Sequence, residues 1–300
     1  MQTILGAGGG AGTEIARELS NYTKEIRIVN RNPKKVNDTD QLFKADLTDP
    51  KQLDDSVKGS EIVYVTIGFP YSIKVWPIFM RNLIDSCSTY KTKIVFVDNV
   101  YMYDPKYLSN MTEETPMNPI SKKGTVRMDI ARMLMDAVEK NKIEAIIARA
   151  PDFYGPAATT SMLYQTVYLK LINDKNPQWL GKLDVIHSFI YSKDIGKAVA
   201  LPGNTPDAFK QVWHLPTTDQ KLTNRQWIEL MMNAMNKQKK IQTMPDWMIS
   251  TLGIFVPILK ELQDVGYQFK QDYFFNSCKF NKRFNFTPTS PEDGIKEMVG

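Results

Sequence analysis

Three glycines spaced three apart, Gly6, Gly9 and Gly12, lie between a strand-like segment, Gln2–Leu5, and a helix-period segment, Thr13–Ser20. Glycine takes up turn conformations that other residues resist and lets a backbone approach a ligand with no Cβ in the way. A helix that follows presents free amides and the positive end of its dipole to an anion. Strand, glycine loop and helix together read as a cradle for the pyrophosphate of a dinucleotide, with Thr13 adding a hydroxyl contact. Glu14 carries the wrong charge for that neighbour and is expected to point outward. An ordinary glycine-rich turn is the plain alternative, and the strand before and amphipathic helix after argue against it.

The next strand ends in VNRNPKK. An acidic residue there would read a ribose 2′-hydroxyl, whereas Arg31, followed by Lys34 and Lys35, suits a 2′-phosphate. The expected cofactor is therefore NADP(H), with NAD(H) as the alternative, although a solvated basic turn would be written with the same letters. In KADLTD, Asp46 and Leu47 are placed to meet an adenine, and Asp46 could also cap the helix that starts near Pro50. Gly68, after the fourth strand, either lets the chain pass close to the adenosine ribose or simply ends the strand.

These residues need a frame. The 300 residues are 42% hydrophobic with a formal net charge of +5, a balance that suits a globular chain and lacks the basic concentration of a nucleic-acid binder. Strand candidates are Gln2–Leu5, Glu25–Asn30, Gln41–Asp46, Ile62–Ile67, Lys93–Asp98 and Glu144–Arg149, several of them continuous β-branched runs fit for burial on both faces. Helix candidates Thr13–Ser20, Pro50–Val57, Val75–Tyr90 and Gly124–Lys140 alternate with them. The pattern predicts an α/β fold, a doubly wound parallel-sheet Rossmann domain over residues 1–155. Beyond it a smaller, mainly helical lobe is expected over 156–300, with 185–215 rejoining the first domain. Its helix candidates are Met162–Asn173, Ile195–Leu201, Arg225–Lys237 (capped by Thr223 or Asn224) and Pro291–Met298.

Two cysteines, Cys87 and Cys278, have no metal-type spacing, and the chain opens on a strand rather than a leader. Both features lead us to expect a reducing, cytoplasmic setting. The apolar stretch Trp247–Leu259 is too short to span a bilayer and contains Gly253 and Pro257. It reads as packing surface in the lobe, with a membrane-surface helix as the alternative. The run YQFKQDYFFNSCKFNKRF mixes aromatic and basic residues, as single-strand binders do, but a lobe core with solvated lysines explains it, and no nucleic-acid partner is expected. With Trp179, Trp227 and Trp247 it suggests a lobe suited to an apolar or ring-containing small molecule. His187 and His214 have no ligand-spaced partner, so no metal is expected and both read as structural.

The chain resembles the extended short-chain dehydrogenase/reductase superfamily in its NAD-dependent epimerase/dehydratase branch. The glycine spacing is the variant of that group. DNVYMYDP is similar to its S-S-x-x-V-Y-G segment, RAPDFYGP to R-x-x-N-x-Y-G-P, and HSFIYSKDIGKA to R-D-F-I-H-V-D-D-V-A-x-A. The resemblance implies a nicotinamide cofactor, a small-molecule substrate and a possible homodimer. It also implies that Pro151, Asp152, Phe153 and Tyr154 lie against the nicotinamide.

The family's Ser/Thr position falls on Asn99, and its Tyr-x-x-x-Lys pair on Lys123 and Arg127. Arg127 can donate hydrogen bonds to a ribose but keeps its proton. Lys123, beside the nicotinamide ribose in the pattern, could be brought towards neutrality by burial or by Arg127 and then protonate a carbonyl oxygen. Asn99 could donate its amide to the same oxygen. A solvated lysine at a helix start is the plain alternative, though a cation there opposes the dipole. Tyr101, Tyr103 and Tyr154 are further candidate acids, each equally at home in a core. The expected activity is hydride transfer to a small carbonyl or enone. The alternatives are nucleotide-sugar epimerisation or dehydration, and dinucleotide sensing without turnover.

Overall fold

The computed structural model describes residues 1–69, 75–244 and 264–300, which divide into two compact units. The first comprises Met1–Val100, Val126–Ala150 and Lys193–Leu215, and the second Tyr101–Thr125, Pro151–Ser192 and Pro216–Gly300. The chain thus changes unit repeatedly: of the segment 185–215, expected to rejoin the first domain, Lys193–Leu215 groups with the first unit. Residues 101–125 group with the later segments.

The first unit is a seven-stranded sheet. Its strands are β1 (Gln2–Leu5), β2 (Ile26–Asn30), β3 (Gln41–Lys44), β4 (Ile62–Val65), β5 (Lys93–Asp98), β6 (Ala145–Arg149) and β10 (Gln211–His214). They run in the order β10-β6-β5-β4-β1-β2-β3, every pairing parallel. The chain builds outward from β1 to β3 and then restarts at β4 on the other side of β1. That switch point leaves a crevice beyond the carboxyl ends of β1 and β4. Every residue of β1 and β4 is buried, which fits sequences that are apolar or β-branched apart from Gln2. The core joins sheet residues such as Leu5, Val65 and Ile147 to Trp76, Leu83 and Ile130 from α3 (Val75–Tyr90) and α4 (Lys122–Glu139).

Sequence periodicity underestimates α1, which spans Gly10–Leu19 and not Thr13–Ser20. Glycine is a poor helix former, yet Gly12 is pressed so closely on Ala7 that a Cβ would come within 2.8 Å of its Cα. Close packing fixes the helix start that propensity would not. Glu14 is also corrected: it is buried at 8% exposure, its carboxylate 2.6 Å from Arg17. Its backbone lies under Gly196 of α6 (Ser192–Gly203), where a Cβ would approach the Glu14 carbonyl oxygen to 2.4 Å. The strand β10 was not expected; at four residues it is too short for its alternation to stand out.

In the second unit the strands are three residues long: β7 (Asp152–Tyr154) pairs with β9 (Phe189–Tyr191), and β8 (Gln178–Leu180) with β11 (Gln242–Met244). The helix expected over 162–173 is a wide π turn, Leu163–Tyr168, running into α5, Leu169–Ile172. α7 (Asn224–Ala234) starts at a capping box in which Thr223 and Gln226 bond each other's backbone. Two further helices, α8 (Cys278–Phe284) and α9 (Pro291–Val299), follow near the end of the chain. Tyr154, Leu163, Trp179, Trp227 and Ile295, the last from α9, belong to the core of this unit. Trp247 and the stretch Trp247–Leu259 lie outside the described residues. Among the described residues no helix is long and apolar enough to cross a membrane.

Candidate functional site

Gly6 ends β1 with φ +94°, a left-handed backbone that favours glycine. Its amide donates to Val29 O at 2.9 Å, and a Cβ there would meet the Ile67 backbone at 2.9 Å. Gly8 is equally confined, with the Asn30 amide nitrogen 2.2 Å from where its Cβ would be. Gly9 differs: nothing lies within 4 Å of a Cβ built there. It is exposed, extended, and the N-cap of α1, with no side chain to take up the helix amides. The loop is thus buttressed at Gly6, Gly8 and Gly12 and open at Gly9, over a helix end whose first turn contains no acid. That combination suits a diphosphate. Thr13 donates its hydroxyl to Gly9 O at 3.1 Å and so braces the loop from the helix side.

At the end of β2, Asn30 accepts the Arg31 amide at 2.6 Å, while Arg31 itself is exposed. The Asp46 carboxylate accepts from the Thr48 amide and hydroxyl at 3.0 and 2.8 Å. The bonds from Thr48, with a smaller contribution from Arg31, hold its pKa below the usual carboxylate value. Asp46 does not cap the next helix. Asp49 does, accepting from Gln52 at 2.9 Å ahead of α2 (Pro50–Val57). Leu47 points into the apolar core, and Gly68 is exposed with open space around it.

The carboxyl end of β5 carries a group that sequence reasoning missed. Asp98 is 4% exposed, and its Oδ1 accepts from the Asn99 amide at 2.9 Å and from Arg127 at 3.2 Å. The Arg127 guanidinium lies 4.1 Å over the Trp76 ring and is itself 6% exposed. Opposite Asp98 in register stands Arg149, also buried. Burial raises the Asp98 pKa; Arg127 and Arg149 oppose that shift. Arg127, expected to donate to a ribose, bonds Asp98 and lies over the Trp76 ring, contacts of the kind that hold a guanidinium in a core.

Lys123, in the second unit, is half-buried at the start of α4. The objection that a lysine there opposes the dipole is answered by Asp264, whose carboxylate accepts the Lys122 and Lys123 amides at 3.4 and 3.0 Å. Ser121 Oγ accepts from Gly124 at 3.0 Å. Tyr154 is buried at 2% exposure, ring against Tyr191 and Trp227, its hydroxyl donating to Ser290 O at 3.4 Å. It is therefore corrected from candidate acid to core residue. Tyr103 is wholly buried and Tyr101 half-buried. Pro151 is buried, while Phe153 is half-buried in β7, opposite Ile190.

The structural role expected of His187 takes a specific form: its Nε2 lies 2.8 Å from Asp152 Oδ2. Neither residue's partner was visible in the sequence. Among the described residues no group of three or more His, Cys, Asp or Glu side chains is placed to hold a metal ion.

Residues 3–214 match the model of the NAD dependent epimerase/dehydratase family. None of the curated proteins compared with the sequence matches it. Solved structures do. UDP-glucuronic acid 4-epimerase from Bacillus cereus, in complex with UDP-glucuronic acid and NAD, superposes at TM-score 0.80 with 14% identity, covering 100% of this chain and 98% of that one. dTDP-glucose 4,6-dehydratase from Bacillus anthracis, in complex with NAD, gives 0.79 and 16% over 99% and 94%. UDP-glucose 4-epimerase from Thermus thermophilus, in complex with NAD, gives 0.77 and 16% over 100% and 98%. At such identities the likeness is one of fold.

Proposed function

The chain belongs to the NAD-dependent epimerase/dehydratase family, and on that premise we propose that it is an NAD(P)-dependent oxidoreductase acting on a small carbonyl or enone. The loop braced at Gly6 and Gly12 and open at Gly9 carries the reading. It fits a diphosphate, and Arg31, exposed beyond β2, fits a 2′-phosphate, so NADPH is the proposed cofactor even though the compared structures hold NAD. Bound there, NADPH would supply the hydride. Lys123 is the proposed proton donor to the carbonyl oxygen, and Asn99 an amide donor to it.

The chemistry must differ from a Tyr-x-x-x-Lys site, because none of the 13 tyrosines is followed by lysine four residues on. Both cysteines are free, which fits a reducing compartment and a cytoplasmic location. The test is NADPH oxidation with aldehydes, ketones and enones, in wild type and Lys123→Met. Turnover that Lys123→Met abolishes supports the reading. NADPH binding without turnover on any substrate would favour a cofactor-sensing role instead.

The family model and the nucleotide-sugar ligands named for the compared structures favour a second reading, an epimerase or dehydratase of nucleotide sugars. A thermal-shift screen with UDP- and dTDP-sugars separates the two: a rise in melting temperature with any of them supports it.

A further inference from the structure

Within the second unit the His187 backbone is fixed on both sides: its amide donates to Leu222 O at 3.0 Å, and its carbonyl accepts from Trp227 Nε1 at 2.9 Å. The ring is clamped between Phe269 and Tyr273, with centroids at 4.9 and 4.3 Å and planes within 8° and 9° of parallel. His187 is 1% exposed, and its Nδ1 has no hydrogen-bond partner among the described residues. Its polar outlet is Nε2, 2.8 Å from Asp152 Oδ2. A carboxylate only accepts, so Nε2 carries the proton and donates.

Asp152 is the opposite kind of residue. Its side chain is 28% exposed, and its only ion-pair partner among the described residues is His187, with no lysine or arginine on it. Tyr273 beside it does not supply a counter-charge. Burial first, and then the charge of Asp152, hold that hydroxyl neutral, far above its usual pKa. The outcome is a carboxylate aimed by a buried ring, with Oδ1 left over as an acceptor among the described residues. In the segments that this chain resembles, the same two positions carry Asn and Arg. Here the two are bonded to each other, and the carboxylate is the partly exposed member.

We propose that Asp152, oriented by His187, is the substrate's polar anchor in the second unit, and that it selects a hydrogen-bond-donating group, a hydroxyl or protonated amine, against a phosphate or carboxylate. This rests on the reading that the second unit receives the substrate. A donor gains a charge-assisted bond to Oδ1, whereas an anion meets like charge in a partly desolvated place.

The test is calorimetric titration of the full chain, with and without NADPH, by three ketones of similar size: aminoacetone, hydroxyacetone and pyruvate. Aminoacetone and hydroxyacetone should bind at least about tenfold more tightly than pyruvate, the equivalent of one charge-assisted bond. Asp152→Asn should bring all three within about threefold of each other. Pyruvate binding wild type as tightly as aminoacetone, an unchanged order in Asp152→Asn, or no binding of any of the three overturns the proposal. Should Asp152→Asn fail to melt cooperatively, the wild-type order decides alone. A parallel NADPH titration keeps the two readings apart: failure to bind NADPH sinks the dehydrogenase reading, while the ketone order still judges Asp152.

Discussion

Each glycine of the loop does a different job, and single substitutions separate them. Gly12→Ala forces a Cβ onto the Ala7 backbone, so it should lower stability by about 1–3 kcal/mol, as overpacking does, and weaken NADPH binding with it. Gly9→Ala meets open space. Its urea midpoint should shift less than that of Gly12→Ala while NADPH affinity, followed by fluorescence titration, falls. A loop that serves only as a turn would lose no affinity in Gly9→Ala. Arg31→Ser removes the group assigned to the 2′-phosphate and should cut the preference for NADPH over NADH by about 1.5–3 kcal/mol, about ten- to a hundredfold. Equal losses for both dinucleotides would show that Arg31 reads something else. Deeper in, Arg127→Met strands the buried Asp98 and should cost about 3–5 kcal/mol in urea unfolding, with Asp98→Leu in the same chain recovering part of it. These residues also mark the limit of sequence reading. Gly6, Gly9 and Gly12 are legible because they lie close to one another in the chain, between a strand and a helix. Asp98 with Arg127, and Asp152 with His187, are 29 and 35 residues apart, and nothing local in either segment announces the other.

At the level of elements, the sheet is legible for a physical reason: parallel strands covered on both faces must be largely apolar, and IVYV and the IVFV within KIVFVD are. Helix ends are less so. The start of α1 is set by contact between Gly12 and Ala7, and the start of α4 by Asp264, which lies far along the chain from Lys122. Asp264 acts here as a cap supplied by a distant segment. Asp264→Ala should therefore lower stability by about 0.5–2 kcal/mol, the range for losing a cap. The same measurement on Asp49→Ala, a cap supplied from within its own segment, gives the comparison. If Asp264→Ala melts as wild type does, the distant carboxylate is not holding the helix.

For the molecule as a whole, five carboxylates, those of Asp46, Asp49, Asp104, Asp174 and Asp184, are held below their ordinary pKa. Depressed acids stabilise the fold above the unfolded-state pKa and lose that contribution as pH falls through their folded values, so melting temperature should drop between about pH 5 and about pH 3. Asp98, raised by burial, works in the opposite sense, and the drop should persist in Asp98→Asn. Salt divides the five. Asp174 and Asp184 owe their shifts chiefly to Lys239 and Arg225, whereas Asp46, Asp49 and Asp104 owe theirs chiefly to backbone amides. At about 1 M salt, where the screening length is about 3 Å, only the former share should fade.

The late return of the chain to the sheet has a practical side. β10 covers the flank of β6, whose five residues are all buried. Truncation near residue 155, where the sequence suggests a natural stopping point, would take that cover away. What remained would be a largely apolar ribbon with a bare row of amides and carbonyls, ready to zip onto another copy of itself. Anyone trimming this protein to its cofactor half should expect inclusion bodies, and should carry residues 193–215 along, spliced on by a linker, to obtain a piece that stays in solution.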